Sequence, residues 1–276
     1  MFTLHVNLRS FLSGLLYFFL TVVIFISCAA SKYKNAEALY SEGAYEQLIQ
    51  SQFECQDTSE ACFRLKYLQM ESYNQLGDWQ NSLLAARQAS DRIVSGISLD
   101  QVNRVNLVQA NIVLENINKI KKDEQKLTLL RELESDLYQA VALNKKSKKT
   151  ADLSQLQLLL TRTYLLKMDF FEGKNLEIIH DHIQKVISEY TSELTSLGYD
   201  QYYRIEADFK IYQPDMRNWT SSGTISGDRE ELLVNLKELY IEALALRKIP
   251  LYEKGFTDQI EGLLKNIDEF MKKLII

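Results

Sequence analysis

Two stretches of the sequence decide the fold: GAYEQLI at residues 43–49 and GDWQNSL at residues 77–83. Their glycines lie 34 residues apart, and an aromatic side chain, Tyr45 or Trp79, follows each glycine by two positions. Glycine permits the positive φ that ends one helix, and a short polar residue such as Asp78 can cap the next helix. The spacing therefore predicts two copies of a helix–turn–helix unit.

The period and the turn residues resemble the tetratricopeptide repeat, in which a tight turn joins two antiparallel helices. In this resemblance the repeat turns contain Gly43, Tyr45, Gly77, Asp78 and Trp79. Tyr73 takes the family's aromatic position in the first helix of the second copy, and Ala86 and Ala89 take the small positions of its second helix. The resemblance implies that the aromatic residue after the turn packs back on the first helix.

The resemblance covers residues 35–93, as two tetratricopeptide-like repeats, and departs from the family in two respects. Leu48 and Ser82 stand where the family usually has alanine, and no proline closes either repeat. The implied fold class is all-α, a tetratricopeptide-like α-solenoid of antiparallel helical hairpins. Such a solenoid presents a concave surface that suits extended peptides, partner helices or other domains.

Helical periodicity continues over residues 94–212, although the repeat signal decays there. Ser98 and Gln101 predict a capping box that opens a helix ending near Ile120. The lysine-rich stretch 144–149 is typical of a solvated connection between helices. We expect further helical hairpins in this region, either as degenerate repeats or as a different helical domain.

The last part of the chain combines a predicted loop with a predicted helical pair. Pro214 and two Ser-Gly clusters predict a loop over residues 213–227. Capping residues Asp228 and Asp258 then predict two helices. We expect residues 228–276 to form a C-terminal helical hairpin that caps the array.

The first 27 residues have the composition of a secretory signal: a short start with Arg9 and an uncharged apolar run from Phe11 to Ile26. Ser27 directly before Cys28 resembles the signal of bacterial lipoproteins, although Phe25 stands where that family prefers leucine. The resemblance implies cleavage before Cys28, acylation of its thiol with diacylglycerol carrying chains such as palmitate, and a tether over residues 28–34.

An alternative for the same segment is an uncleaved membrane anchor. The run from Phe11 to Ala30 is long enough, at ~1.5 Å per residue, to cross a ~30 Å hydrocarbon core. Both alternatives place the bulk of the chain outside the cytoplasm, tethered to a membrane. Ala29, in place of aspartate, resembles lipoproteins that are sent on to an outer membrane, so the expected location is the cell envelope, at the outer membrane facing the periplasm.

The two remaining cysteines, Cys55 and Cys62, form a candidate disulfide. Removing Cys28 for the lipid leaves an even number in an oxidising compartment. The alternative is a pair of free thiols. A disulfide here would lie where the closing turn of the repeat belongs, and it could replace proline as the rigid element between hairpins.

The charge and the motifs favour neither nucleic-acid binding nor catalysis. The formal net charge is −5, and nucleic-acid binding needs a basic face. The chain has no nucleophile elbow, Walker loop, zinc-protease motif or dinucleotide fingerprint. His180 and His182 point to opposite sides of a helix, so they cannot share a metal. We therefore expect no enzyme activity, no cofactor and no metal site.

Three aromatic residues are weak candidates for binding: Tyr202, Tyr203 and Trp219. Tyrosine offers rigid area with a polar tip, although packing between helices would use the same side chains. Trp219 in the predicted loop either contacts a partner or membrane surface, or folds back on the helices.

The resulting hypothesis is a membrane-anchored lipoprotein that acts as a non-catalytic, protein-binding adaptor or scaffold of the cell envelope. Its partner is an envelope protein or peptide, and homo-oligomerisation is compatible with this role. The alternative is a solute-handling lipoprotein associated with a periplasmic transporter, in which Tyr202 and Tyr203 would touch the ligand. An enclosed apolar cavity favours the alternative, and an open polar groove favours the adaptor.

Overall fold

A computed structural model describes residues 31–51, 53, 55, 59–93, 97–147, 152–225, 227–248 and 254–275. Within these ranges the chain consists of helices and turns, without a β-strand, which confirms the all-α fold class. The N-terminal apolar run and Cys28 lie outside the described residues. None of the helices in the described ranges is both long and apolar enough to cross a membrane.

Backbone contacts divide the chain into two units, residues 1–112 and 113–276. In the first unit, residues 31–41 form helix α1. The following helices are α2 (Tyr45–Gln50), α3 (Glu60–Gln75), α4 (Trp79–Ser90) and the larger part of α5 (Leu99–Asn116). Helix α3 packs against both α2 and α4.

The two glycine turns have the geometry that their sequence predicts. Gly43 and Gly77 adopt φ values of 72° and 74°, in the left-handed region where glycine avoids the strain of a Cβ. The Tyr45 ring packs on Tyr40 of α1, with centroids 5.4 Å apart. Asp78 caps α4 by accepting a hydrogen bond of 3.2 Å from the backbone N–H of Asn81.

Burial and a polar contact hold α3 and α4 together. Ala86 and Ala89, the small positions of the repeat, are fully buried. Ser82 is also buried, and its hydroxyl donates a 2.8 Å hydrogen bond to the backbone carbonyl of Met70. This bond satisfies a polar group at a position that alanine usually fills, so it explains how a serine is accommodated there.

The sulfur atoms of Cys55 and Cys62 lie at disulfide-bonding distance, as predicted, with Cα atoms 5.7 Å apart. Cys62 lies in the first turn of α3, and Cys55 lies in the segment that leaves α2.

Closer to the other end of α3, the buried carboxylate of Glu71 accepts a 2.9 Å hydrogen bond from Arg104 of α5.

The second unit contains the remaining helices. After a 3₁₀ turn at Ile117–Lys119 they are α6 (Asp123–Ser147), α7 (Leu153–Met168), α8 (Gly173–Ser188), α9 (Ser192–Ser196), α10 (Tyr199–Ile211), α11 (Gln213–Ser222), α12 (Arg229–Leu246) and α13 (Lys254–Ile275). Helix α7 packs between α6 and α8, and α10 contacts α7, α8, α9, α11, α12 and α13. Helix α10 is therefore the centre of this unit.

The predicted C-terminal pair is present as α12 and α13, which pack on each other. The predicted start of the last helix at Asp258 is wrong, because α13 already begins at Lys254 and Asp258 lies in its second turn. The apolar face predicted for the last helix is buried: Ile260, Leu263, Leu264, Ile267, Phe270 and Leu274. Asp228 caps α12 by accepting a hydrogen bond of 2.8 Å from the backbone N–H of Glu230.

The prediction of a loop over residues 213–227 is wrong for the first ten of these residues, which form α11. Pro214 lies in the first turn of this helix, where a missing N–H costs nothing. Gly223 ends the helix with φ 69°. The predicted lysine-rich connection is likewise helical from residue 144 to Ser147, as the last turn of α6.

Candidate functional site

The aromatic residues of α10 serve packing first. Tyr202 and Tyr203 are each 5% exposed, and their ring centroids lie 5.0 Å apart. Phe256 of α13 packs on Tyr202 at 4.7 Å and on Tyr199 at 4.5 Å. These contacts join α10 to α13, in line with the packing alternative for the tyrosines.

Tyr202 and Tyr203 nevertheless also line a cleft of about 310 Å³, which we call the tyrosine cleft. It opens to solvent and is bounded by the end of α5, the 3₁₀ turn, α7, α10 and α13. Its apolar lining consists of Leu114, Ile117, Leu165 and Leu166. Its charged lining consists of Arg162, Glu206 and Lys210. The cleft thus offers both apolar and ionic groups to a ligand.

The charged lining includes a carboxyl group, Glu206, and a guanidinium group, Arg162, which form no ion pair with each other, although the charge of Arg162 acts on Glu206. The Tyr202 hydroxyl donates a hydrogen bond to Glu206. Burial raises the pKa of Glu206, and the positive charge of Lys210 opposes this shift. Lys210 itself pairs with Asp169. Arg162 is exposed and forms no ion pair with a carboxylate of the described residues.

Trp219 does not line the tyrosine cleft. It lies on α11, and its indole N–H donates a 2.8 Å hydrogen bond to the carbonyl oxygen of Lys273 in α13. The guanidinium of Arg229 stands 5.3 Å from the centre of the indole ring. Trp219 is therefore folded back on the C-terminal helix, which was one of the two alternatives for it.

A second cleft, which the sequence analysis missed, lies along α6, α7 and α8. It has a volume of about 390 Å³, and its aromatic lining consists of Tyr138, Tyr164 and His182. We call it the aromatic cleft. An ion pair between Lys145 and Glu189 joins α6 to the end of α8, so the two helices that flank the cleft are also linked directly.

The floor of the aromatic cleft is a closed polar network on Tyr164. Burial raises the pKa of Tyr164, and the nearby carboxylate of Glu134 raises it further. Glu134 accepts a hydrogen bond from the Tyr164 hydroxyl and an ion pair from Lys167, whose ammonium lies 5.6 Å from the centre of the Tyr164 ring. The charges of the floor are therefore already balanced within the protein.

The rim of the aromatic cleft differs from the floor, because its cations are not balanced. Arg131 of α6 and Lys185 of α8 line the cleft, and neither forms an ion pair with a carboxylate of the described ranges. Tyr138, which also lines the cleft, is 54% exposed. The His182 ring lies 5.5 Å from Tyr164 and is exposed. An exposed aromatic group in one cleft with two cations suits a segment that carries an apolar side chain and acidic neighbours.

One signal in the sequence could have revealed this cleft. Arg131, Ser135 and Tyr138 have the spacing of one helix face, and the buried stripe of α6 runs through Leu130, Leu133 and Leu137 on a different face. Tyr138 therefore had to lie outside the core. The sequence contains no indication that His182 and Lys185 of α8 would face it.

The two histidines lie on different faces of α8, as the sequence analysis predicted. His180 is half-buried and its Nε2 lies 2.6 Å from a carboxylate oxygen of Asp208, whereas His182 lines the aromatic cleft. Among the described residues no three His, Cys, Asp or Glu side chains are grouped to hold a metal ion.

The chain matches no protein-family model, and no characterised protein shows significant sequence similarity to it.

Proposed function

We propose that this protein is a lipid-anchored helical-repeat adaptor of a bacterial cell envelope, which binds an acidic segment of a partner protein in the aromatic cleft. The anchor is Cys28, and the repeats begin with the two glycine turns. The protein binds its partner without changing it chemically.

The proposed anchor rests on the sequence of the first 28 residues. An uncharged apolar run that ends in Ser27-Cys28 suits export and acylation. Two or three acyl chains hold a protein on a membrane far more firmly than one chain does. The disulfide-bonded pair Cys55 and Cys62 is in keeping with an oxidising compartment.

The proposed repeat architecture is supported by local geometry in the first unit. Two helical pairs, α1 with α2 and α3 with α4, are each joined by a glycine with positive φ. In the second pair the small residues Ala86 and Ala89 are buried, as close helix packing in a tetratricopeptide repeat requires. We extend this architecture to the antiparallel pairs of the second unit.

The rim of the aromatic cleft is the observation that carries the binding role. The cleft leaves Tyr138 54% exposed beside Arg131 and Lys185, neither of which has a carboxylate partner among the described residues. A partner segment with an apolar side chain and neighbouring carboxylates would cover the tyrosine and pair with both cations. The aromatic cleft is open to solvent and is lined by two cations, which suits an extended acidic segment.

Site-specific photocrosslinking tests this role in the cells that produce the protein. A photoreactive amino acid at Tyr138 should give a discrete protein adduct, because the side chain lies within the proposed contact. The matched control is the same amino acid at Ile241 of α12, which is 65% exposed but remote in sequence from the cleft. The control should give no such adduct.

Charge reversal makes the test specific to the rim. The double variant Arg131→Glu and Lys185→Glu should abolish the adduct at residue 138 while the helical content, measured by circular dichroism, stays unchanged. If position 138 gives no adduct, or if the charge-reversed protein gives the same adduct, the adaptor role at this cleft is wrong.

Intact mass spectrometry tests the anchor separately. The membrane-extracted protein should have the mass of residues 28–276 plus acyl chains, minus two hydrogens for the disulfide. The Cys28→Ala variant should lose the acyl mass and leave the membrane fraction. A full-length, unmodified wild-type mass would show that the segment is not a lipoprotein signal.

A further inference from the structure

The tyrosine cleft contains an arrangement of charges that the adaptor role does not use. Glu206 has no ion pair with a lysine or arginine among the described residues, and Arg162 has none with a carboxylate. Both side chains line the same cleft of about 310 Å³. Lys210, the other charged residue of the lining, forms an ion pair with Asp169.

The charges of Arg162, Glu206 and Lys210 distinguish three kinds of small ligand: a carboxylate, an amine and a zwitterion. A simple carboxylate would pair with Arg162 but would also bring a second negative charge beside Glu206. A simple amine would pair with Glu206 but would lie beside the positive charges of Arg162 and Lys210. A zwitterion presents an anion to the guanidinium and a cation to the carboxylate, so it alone pairs with both.

The apolar lining and the size of the cleft restrict the kind of ligand further. Leu114, Ile117 and Leu165 offer an apolar surface on which a hydrocarbon side chain can lose its contact with water. The volume lies at the lower end of the ~300–1,000 Å³ range of small-molecule sites. The ligand is therefore of amino-acid size, with one apolar side chain.

We propose that the tyrosine cleft binds a free α-amino acid with an apolar side chain. Arg162 holds the carboxylate, Glu206 holds the ammonium group, and Leu114, Ile117 and Leu165 contact the side chain. The hydroxyl of Tyr202 donates its hydrogen bond to Glu206 and so holds the carboxylate toward the cleft. Tyr202 and Tyr203 shape the wall, and their rings also keep α10 packed on its neighbours.

This site is independent of the partner bound in the aromatic cleft. The two clefts share no lining residue. Loss of crosslinking at Tyr138 would leave the amino-acid site untouched, and loss of amino-acid binding would leave the adaptor role untouched.

Isothermal titration calorimetry of the purified full protein with L-leucine tests the proposal. N-acetylleucine keeps the carboxylate and the side chain but lacks the ammonium, whereas leucinamide keeps the ammonium but lacks the carboxylate. These two probes also imitate the two ends of a peptide. Glycine lacks the apolar side chain. N-acetylleucine, leucinamide and glycine should each bind about tenfold or more weakly than leucine, because each lacks one of the three groups that the cleft contacts.

Variants assign the two ionic contacts. Arg162→Gln and Glu206→Gln should each weaken leucine binding by about tenfold or more. Arg131→Gln, an arginine of the aromatic cleft, should leave leucine binding unchanged. Absence of leucine binding to the wild type overturns the proposal. So does binding of N-acetylleucine or leucinamide as strong as that of leucine, or unchanged affinity in Arg162→Gln.

Discussion

Replacing Gly77 by alanine should lower the free energy of unfolding of the first unit by about 1 kcal/mol. Gly77 has φ 74°, and a Cβ built on it meets no atom within 4 Å. The cost is therefore conformational rather than steric. A left-handed backbone costs an L-residue ~1–2 kcal/mol, and the stiffer unfolded chain of the alanine variant returns ~0.4–1 kcal/mol.

Two further variants make the prediction specific to the backbone angle. Gly77→Asn should cost less than Gly77→Ala, because asparagine adopts the left-handed region more readily. Gly262 lies inside α13, and its Cβ would also meet no atom within 4 Å, but its backbone is helical. Gly262→Ala should therefore stabilise the second unit by about 0.5–1 kcal/mol.

Urea unfolding of the detergent-solubilised chain, followed by far-UV circular dichroism, gives the free energies, and hydrogen exchange of the α3 and α4 amides assigns the Gly77 effect to the first unit. A loss of about 1 kcal/mol reduces the ratio of folded to unfolded protein about fivefold. The reasoning fails if Gly77→Ala is as stable as the wild type, or if Gly77→Asn is as damaging as Gly77→Ala.

Three other perturbations have defined outcomes. Reducing the Cys55–Cys62 disulfide should lower the free energy of unfolding by about 2.5 kcal/mol, since the bond closes a short loop of sequence separation 7. Urea unfolding with and without reductant measures this loss. The control variant Cys55→Ser, Cys62→Ser should not respond to reductant. Arg104→Met removes the ion pair of the buried carboxylate of Glu71, which keeps only its hydrogen bond with Tyr67, and should cost about 2–3 kcal/mol. A second change, Glu71→Gln, should restore much of this loss in thermal unfolding, and no recovery would contradict the prediction. Burial raises the pKa of Glu206 above its ordinary value of 4.5. Between pH 4.5 and the raised pKa the folded state therefore binds more protons than the unfolded state. The stability that this group contributes is complete below pH 4.5 and falls as the pH rises through the raised pKa. Glu206→Gln should flatten this part of the stability curve, and an unchanged curve would show that Glu206 does not titrate in this way.

Several elements could be predicted because their causes are local. Ser98 and Gln101 form the expected capping box: the Gln101 N–H donates to the Ser98 hydroxyl at 3.3 Å, and the Ser98 N–H donates to the Gln101 side chain at 3.3 Å. Gly43 and Gly77 turn with positive φ because glycine does so without the strain of a Cβ. The disulfide between Cys55 and Cys62 followed from their number and spacing.

The segment 213–222 shows where local reasoning stops. Its proline and serines, and the glycines just after it, favour a loop there, but Trp219 donates a hydrogen bond to the carbonyl oxygen of Lys273, 54 residues further along the chain. Helix α11 also packs on α13. The gain from these distant contacts outweighs the weak local preference, and no window of the sequence around residue 219 contains that information.

By itself, the sequence determined the all-helical class, most helix starts, the two glycine turns and the disulfide, because each depends on residues fewer than about eight positions apart. Only the tertiary structure decided the two clefts. Arg131 and Lys185 line the aromatic cleft from α6 and α8, and Arg162 and Glu206 line the tyrosine cleft from α7 and α10, at positions set by the angle and register with which those helices pack. Side-chain packing in three dimensions determines that register, so the exposed face of one helix does not reveal which face of another helix lies opposite it.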